Sequence, residues 1–123
     1  TQYTIPSSVR VRGRNTYGGN RGTHGIVYPG QSLLTEIGTE YTLTKNWVLA
    51  CDFIANWTKR TKFVGESNGA AVGLSSSAQF SLAPAIEYNW NSRIGIISGS
   101  WFSLAGRNST QFYSSTTALN YYY

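Results

Sequence analysis

The chain has no methionine, one cysteine, three prolines and only 12% charged residues. Each shortage closes a door. The lone Cys51 excludes an internal disulfide and a cysteine-based metal site. His24 is the single histidine, and a Ser-His-Asp arrangement would have to draw its base from a glycine-rich segment. His24 is therefore expected to be a solvated loop residue. Glu36 and Glu40 are near each other without the other features of a glycosidase, so no enzyme and no cofactor is expected. The net charge of +5 is modest and spread along the chain, which argues against nucleic acid as a partner. No stretch approaches the roughly 18 consecutive apolar residues of a membrane-spanning helix. That last absence leaves β-barrels open, because a barrel strand carries a weaker signal of about 10 alternating residues. The chain does not begin with Met and shows no secretory leader. The expectation is a processed protein or the C-terminal part of a longer one.

What is abundant is aromatic residues at 15%, thirteen glycines, and many Ser and Thr, a composition suited to strands and turns. Alternation with period two predicts six strands. In the first, Tyr3, Ile5, Val9 and Val11 oppose Gln2, Thr4, Ser8, Arg10 and Arg12. The second, over positions 31–43, sets Leu33, Ile37, Tyr41 and Leu43 against Ser32, Glu36, Gly38 and Glu40. In the third, over 47–60, Trp47, Leu49, Cys51, Phe53 and Trp57 oppose Asp52, Asn56, Thr58 and Arg60. The fourth, over 79–90, opposes Phe80, Leu82, Pro84, Ile86, Tyr88 and Trp90 to Gln79, Ser81, Ala83 and Glu87. A fifth, over 94–106, is less regular because Ile97 and Trp101 share the face of Gly95, Gly99 and Ser103. The sixth closes the chain at Tyr123.

Two three-residue links, 44–46 and 91–93, test these assignments. Such a link pairs Leu43 with Trp47 and Trp90 with Ile94, apolar with apolar, and a slip of one residue would scramble both faces. The remaining connections, 13–30 and 61–76 above all, are expected to be long loops, the first a flexible one. Short turns alternating with long loops match an up-and-down transmembrane barrel, with the short turns and the C-terminus on the periplasmic side.

On that reading the apolar face meets lipid and Cys51 sits among acyl chains. One aromatic belt holds Tyr41, Trp47, Tyr88, Trp90, Tyr121 and Tyr123; the other holds Trp57, Phe63, Phe80 and Tyr113. The opposite face lines a lumen. Its candidates are Glu36, Glu40, Asp52, Asn56 and Glu87, with Arg10, Arg12, Arg60, Lys62 and Arg107 towards the extracellular rim. These charges either pair across strands or set the field that a solute feels.

Three stretches carry a resemblance: GTEYTLTKNWVLA at 38–50, LAPAIEYNW at 82–90 and WFSLAGRN at 101–108. They resemble the C-terminal half of outer-membrane transporters of the MetA-pathway phenol-degradation family of Gram-negative bacteria. The resemblance implies an all-β, antiparallel barrel in the cell outer membrane, of which residues 1–123 are the C-terminal part of a single domain. It implies a channel or transporter for small, apolar or aromatic solutes. The implied partners are the lipid bilayer and lipopolysaccharide, the barrel-assembly machinery acting on the last strand, and further N-terminal strands or other subunits. Six strands cannot close a membrane barrel alone, because single-chain examples start at about 8 strands. The competing expectation is a structural or anchoring barrel, such as a scaffold in an envelope assembly or an autotransporter-type translocator. No solute-binding residue follows from the resemblance.

Overall fold

A computed structural model describes residues 1–121. Tyr122, and Tyr123 of the expected aromatic belt, lie outside the described residues. The chain is all-β with antiparallel pairing: β1 (Gln2–Thr4), β2 (Val9–Arg12), β3 (His24–Tyr28), β4 (Ser32–Thr42), β5 (Trp47–Thr58), β6 (Lys62–Glu66), β7 (Ser77–Asn89), β8 (Ile94–Arg107) and β9 (Tyr113–Tyr121). Hydrogen bonding arranges them as a six-stranded sheet in the order β1-β4-β5-β7-β8-β9 and a three-stranded sheet in the order β2-β3-β6.

Among the described residues, nine strands thus replace the expected six. The first expected strand breaks into β1 and β2, which belong to different sheets. Pro6 stands in the break, where it offers no N–H to a ladder and fixes its own φ. Both expected long loops hold a strand, β3 in one and β6 in the other. Each strand is five residues long and each contains a glycine, too short and too glycine-rich for alternation to stand out.

The chain divides into two compact units, Thr1–Leu34 with Asn56–Ala78, and Thr35–Ala55 with Gln79–Tyr123. In the first unit β3 is the centre of the small sheet, pairing Val27 with Val9 on one side and with Phe63 on the other. Val27 is fully buried, and Val11, Thr23 and Thr61 are buried around it. The Phe63 ring lies over Gly25 and Gly65, where any Cβ would collide with it. Phe63 is therefore part of this small sheet and does not flank a long strand as expected.

The segment between β2 and β3 is held by turn hydrogen bonds. The Asn15 side chain accepts from the Tyr17 N–H and the Asn20 side chain from the Gly22 N–H, both at 2.9 Å, the local bonding that favours Asn in turns. The Gly13 N–H donates to the Thr23 carbonyl at 2.7 Å, and the Gly73 N–H to the Tyr17 carbonyl at 2.7 Å. Gly18 turns at φ +102°, a left-handed conformation that a side chain would strain.

The second unit is built from the long strands. Both three-residue turns form as expected: the Leu43 N–H donates to the Trp47 carbonyl at 2.9 Å and the Trp90 N–H to the Ile94 carbonyl at 3.0 Å. Thr44 Oγ1 accepts from the Asn46 and Trp47 N–H groups, and Asn91 Oδ1 from those of Arg93 and Ile94. The Asn89 N–H donates to the Asn46 carbonyl at 2.8 Å, and the Asn46 amide returns a bond to the Asn89 carbonyl. β8 and β9 pair from Ile94↔Tyr121 to Phe102↔Tyr113. Among the described residues, Ala55 is the one apolar side chain of this unit that is buried. The sheet has no hydrophobic core of its own.

Candidate functional site

Two faces of the long strands follow from the turns. The Leu43–Trp47 turn puts Gly38 opposite Asp52, and a Cβ on Gly38 would stand 2.5 Å from Asp52 Oδ1. The Trp90–Ile94 turn puts Ala85 opposite Gly99 and Asn89 opposite Gly95, with the Asn89 side-chain oxygen Oδ1 filling the space that Gly95 leaves. The β8–β9 register then adds Ala118, Thr116 and Ser114 opposite Ile97, Gly99 and Trp101. One face is therefore made largely of small and polar residues, with Val48, Ile54, Ile97 and Trp101 as its large apolar members.

The other face carries the large apolar side chains, and they are exposed. Ile37, Tyr41, Leu43, Trp47, Leu49, Phe53, Ile86, Trp90, Leu119 and Tyr121 all stay at least 39% accessible. Soluble monomers rarely present so continuous an apolar surface. Near the short turns the rings touch: Trp47 and Tyr88 have centroids 4.6 Å apart, and Tyr88 meets Trp90 edge-on at 5.4 Å. Further along the strands Phe53 stacks on Phe80 at 6.3 Å. Trp57 and Tyr113 are exposed beyond them. Part of this face is polar, which alternation alone did not reveal. Ser98 and Thr117 share a hydroxyl–hydroxyl bond of 3.0 Å, and Ser100 bonds the Tyr113 hydroxyl at 3.1 Å. Each hydroxyl finds its partner within the sheet, so water is not required there.

The expected lumen residues divide between the two units. Glu36, Glu40, Asp52 and Glu87 lie on the small-residue face of the second unit by strand parity. Among the described residues none of these four forms an ion pair. Asn56 continues the same side of β5, and Arg107 ends β8. Arg10 and Arg12 stand on β2 opposite Ile26 and His24, and Lys62 on β6 opposite Tyr28. They belong to the small sheet, because the break at Pro6 and the formation of β6 take them off the long strands. Arg60 lies between β5 and β6, beside Lys59, whose Nζ donates to Gln31 Oε1 at 2.9 Å. His24 is on a strand and not in a loop, 3.6 Å from Glu66.

The division sorts charge. The first unit holds seven of the ten Lys and Arg residues (Arg10, Arg12, Arg14, Arg21, Lys59, Arg60, Lys62) and one of the five acids, Glu66, a net +6. The second holds Lys45, Arg93 and Arg107 against four acids, a net −1. A mild overall charge thus hides one strongly basic unit.

On the small-residue face a recess of about 230 Å³ is lined by Asp52, Ala83, Ala85, Ile97, Gly99 and Trp101, with Ser114 and Thr116 at its border. Trp101 Nε1 donates to the buried Ser81 hydroxyl at 2.9 Å, and its ring meets Phe112 edge-on at 4.8 Å. Trp101 and the small residues around it were not among the expected site residues. The signal for them was present: Ile97 and Trp101 break the polar pattern of the fifth strand.

Comparison with protein-family models, with curated proteins and with solved structures finds no match for this chain.

Proposed function

We propose that this chain forms part of the wall of an outer-membrane β-barrel, a channel or transporter for small solutes whose apolar face meets lipid. One observation carries the reading: most large apolar residues of the second unit gather on one face and stay exposed. Burying apolar surface is worth about 25 cal/mol per Å². A sheet that forgoes this gain in water is suited to a solvent that is itself apolar. The opposite face, small and polar with four carboxylates, is suited to a water-filled lumen.

In this reading β9 and the Thr35–Thr42 half of β4 need neighbours. β9 ends the strand order, and β1 covers β4 only from Ser32 to Leu34. An open edge in hydrocarbon leaves N–H and C=O groups unsatisfied at several kcal/mol each. Further strands of a longer protein, or other subunits, supply the closure. The net +6 charge of the first unit is suited to the phosphates of lipopolysaccharide, a match of opposite charges. The resemblance of residues 38–50, 82–90 and 101–108 to phenol-degradation transporters supports the same assignment. The test is conductance of the full-length protein in a planar bilayer. Discrete current steps are expected. Stable insertion with a tight seal and no solute flux would favour an anchoring or scaffold barrel instead.

A further inference from the structure

We infer that the recess around Trp101 binds a small aromatic cation, a monocyclic arylalkylammonium, with its ring against Trp101 and its ammonium on the Asp52 carboxylate. Asp52, Ala83 and Trp101 stand at one height on β5, β7 and β8. The Asn46–Asn89 bond sets Asp52 beside Ala83, and the Trp90–Ile94 turn sets Ala83 beside Trp101. Two strand spacings separate the carboxylate strand from the indole strand, about 10 Å. Ala83 between them has a single methyl group, and Gly99 adds no side chain. The outcome is a cleft with an acid on one wall, an indole on the other and an apolar floor.

Three features choose a cation over a neutral or anionic ring. The indole N–H is already given to Ser81, so Trp101 offers a guest its π face and not a donor. An aromatic guest ring can stack on that face, which Trp101 leaves 46% exposed. Asp52 has no ion pair of its own among the described residues. The two cations in the short turns, Lys45 and Arg93, lie at strand ends, whereas Glu36, Glu40 and Glu87 share the face with Asp52.

This inference takes its access route from the channel reading, and its test does not depend on conduction. The full-length protein in detergent micelles is titrated with benzylammonium and, separately, with benzyl alcohol, while tryptophan emission is followed. Benzylammonium should bind saturably and at least about tenfold tighter than the alcohol, the scale of one charge-assisted hydrogen bond. Asp52→Asn, which keeps the shape of the side chain, should abolish that preference. Trp101→Phe should remove the emission change while calorimetry still detects weakened binding. Equal affinity for the two ligands, or a preference that survives Asp52→Asn, would overturn the site. Conductance measured on the same samples separates the two proposals. Binding without current steps sinks the channel and leaves the site, and current steps without binding do the reverse.

Discussion

Asp52 owes its position to Gly38. The two residues face each other across β4 and β5, and the carboxylate occupies the space that a side chain on Gly38 would fill, 2.5 Å from the site of its Cβ. The opposing atom is the end of a side chain with freedom to swing, so Gly38→Ala should displace the carboxylate and leave stability nearly unchanged. Gly99 differs. A Cβ there meets the Ala85 methyl group and the Pro84 carbonyl, each at 2.9 Å. Neither can swing aside, and Gly99→Ala should cost about 1–3 kcal/mol, the usual penalty for overpacking. Urea unfolding followed by tryptophan emission checks both, with a lower midpoint for Gly99→Ala alone.

Gly30 is the tightest glycine of the first unit. A Cβ built there would lie 1.6 Å from the Lys59 carbonyl oxygen, where the Lys59 N–H also bonds the Gln31 carbonyl at 2.8 Å. Gly30→Ala should separate these two strand ends and expose the backbone amide of Lys59 to exchange. Hydrogen exchange of this variant against the unsubstituted protein checks the expectation.

The two faces of β5 should respond oppositely to the same charge. Phe53 is on the apolar face, stacked on Phe80, while Asn56 is exposed on the other side of the strand. Phe53→Arg should destabilise the inserted protein by roughly 2–4 kcal/mol, the cost of an arginine on the lipid face near the midplane. Asn56→Arg should cost far less, because a lumen can hydrate it. Reversible unfolding from phospholipid vesicles measures both, and equal costs would contradict the assignment of faces.

The long strands were legible in the sequence because 11 to 14 residues give alternation room to repeat. The two Asn-containing turns then fixed which residues share a face, and the observed turn bonds agree with them. The small sheet was not legible. His24–Tyr28 and Lys62–Glu66 are short strands stabilised by pairing far along the chain, His24 with Glu66 and Val27 with Phe63. Nothing local to either segment announces that pairing. The charge division followed from this topology and stayed hidden for the same reason. At the recess, Asp52 was identified by parity, whereas Trp101 was visible only as an exception to it. Its use of Ser81 as a hydrogen-bond partner depends on the β7–β8 register, a relation between strands that no single strand encodes.

The central claim, that the apolar face meets lipid, is tested most directly at Cys51. It is the chain's one cysteine, on β5 between Leu49 and Phe53 of that face, and half-buried. The unfolded protein is spin-labelled at Cys51 and then inserted into vesicles. Paramagnetic relaxation is compared between oxygen, which concentrates in hydrocarbon, and a water-soluble nickel chelate. High accessibility to oxygen with little to the chelate is the predicted result. The reverse order would place Cys51 in water and contradict the account.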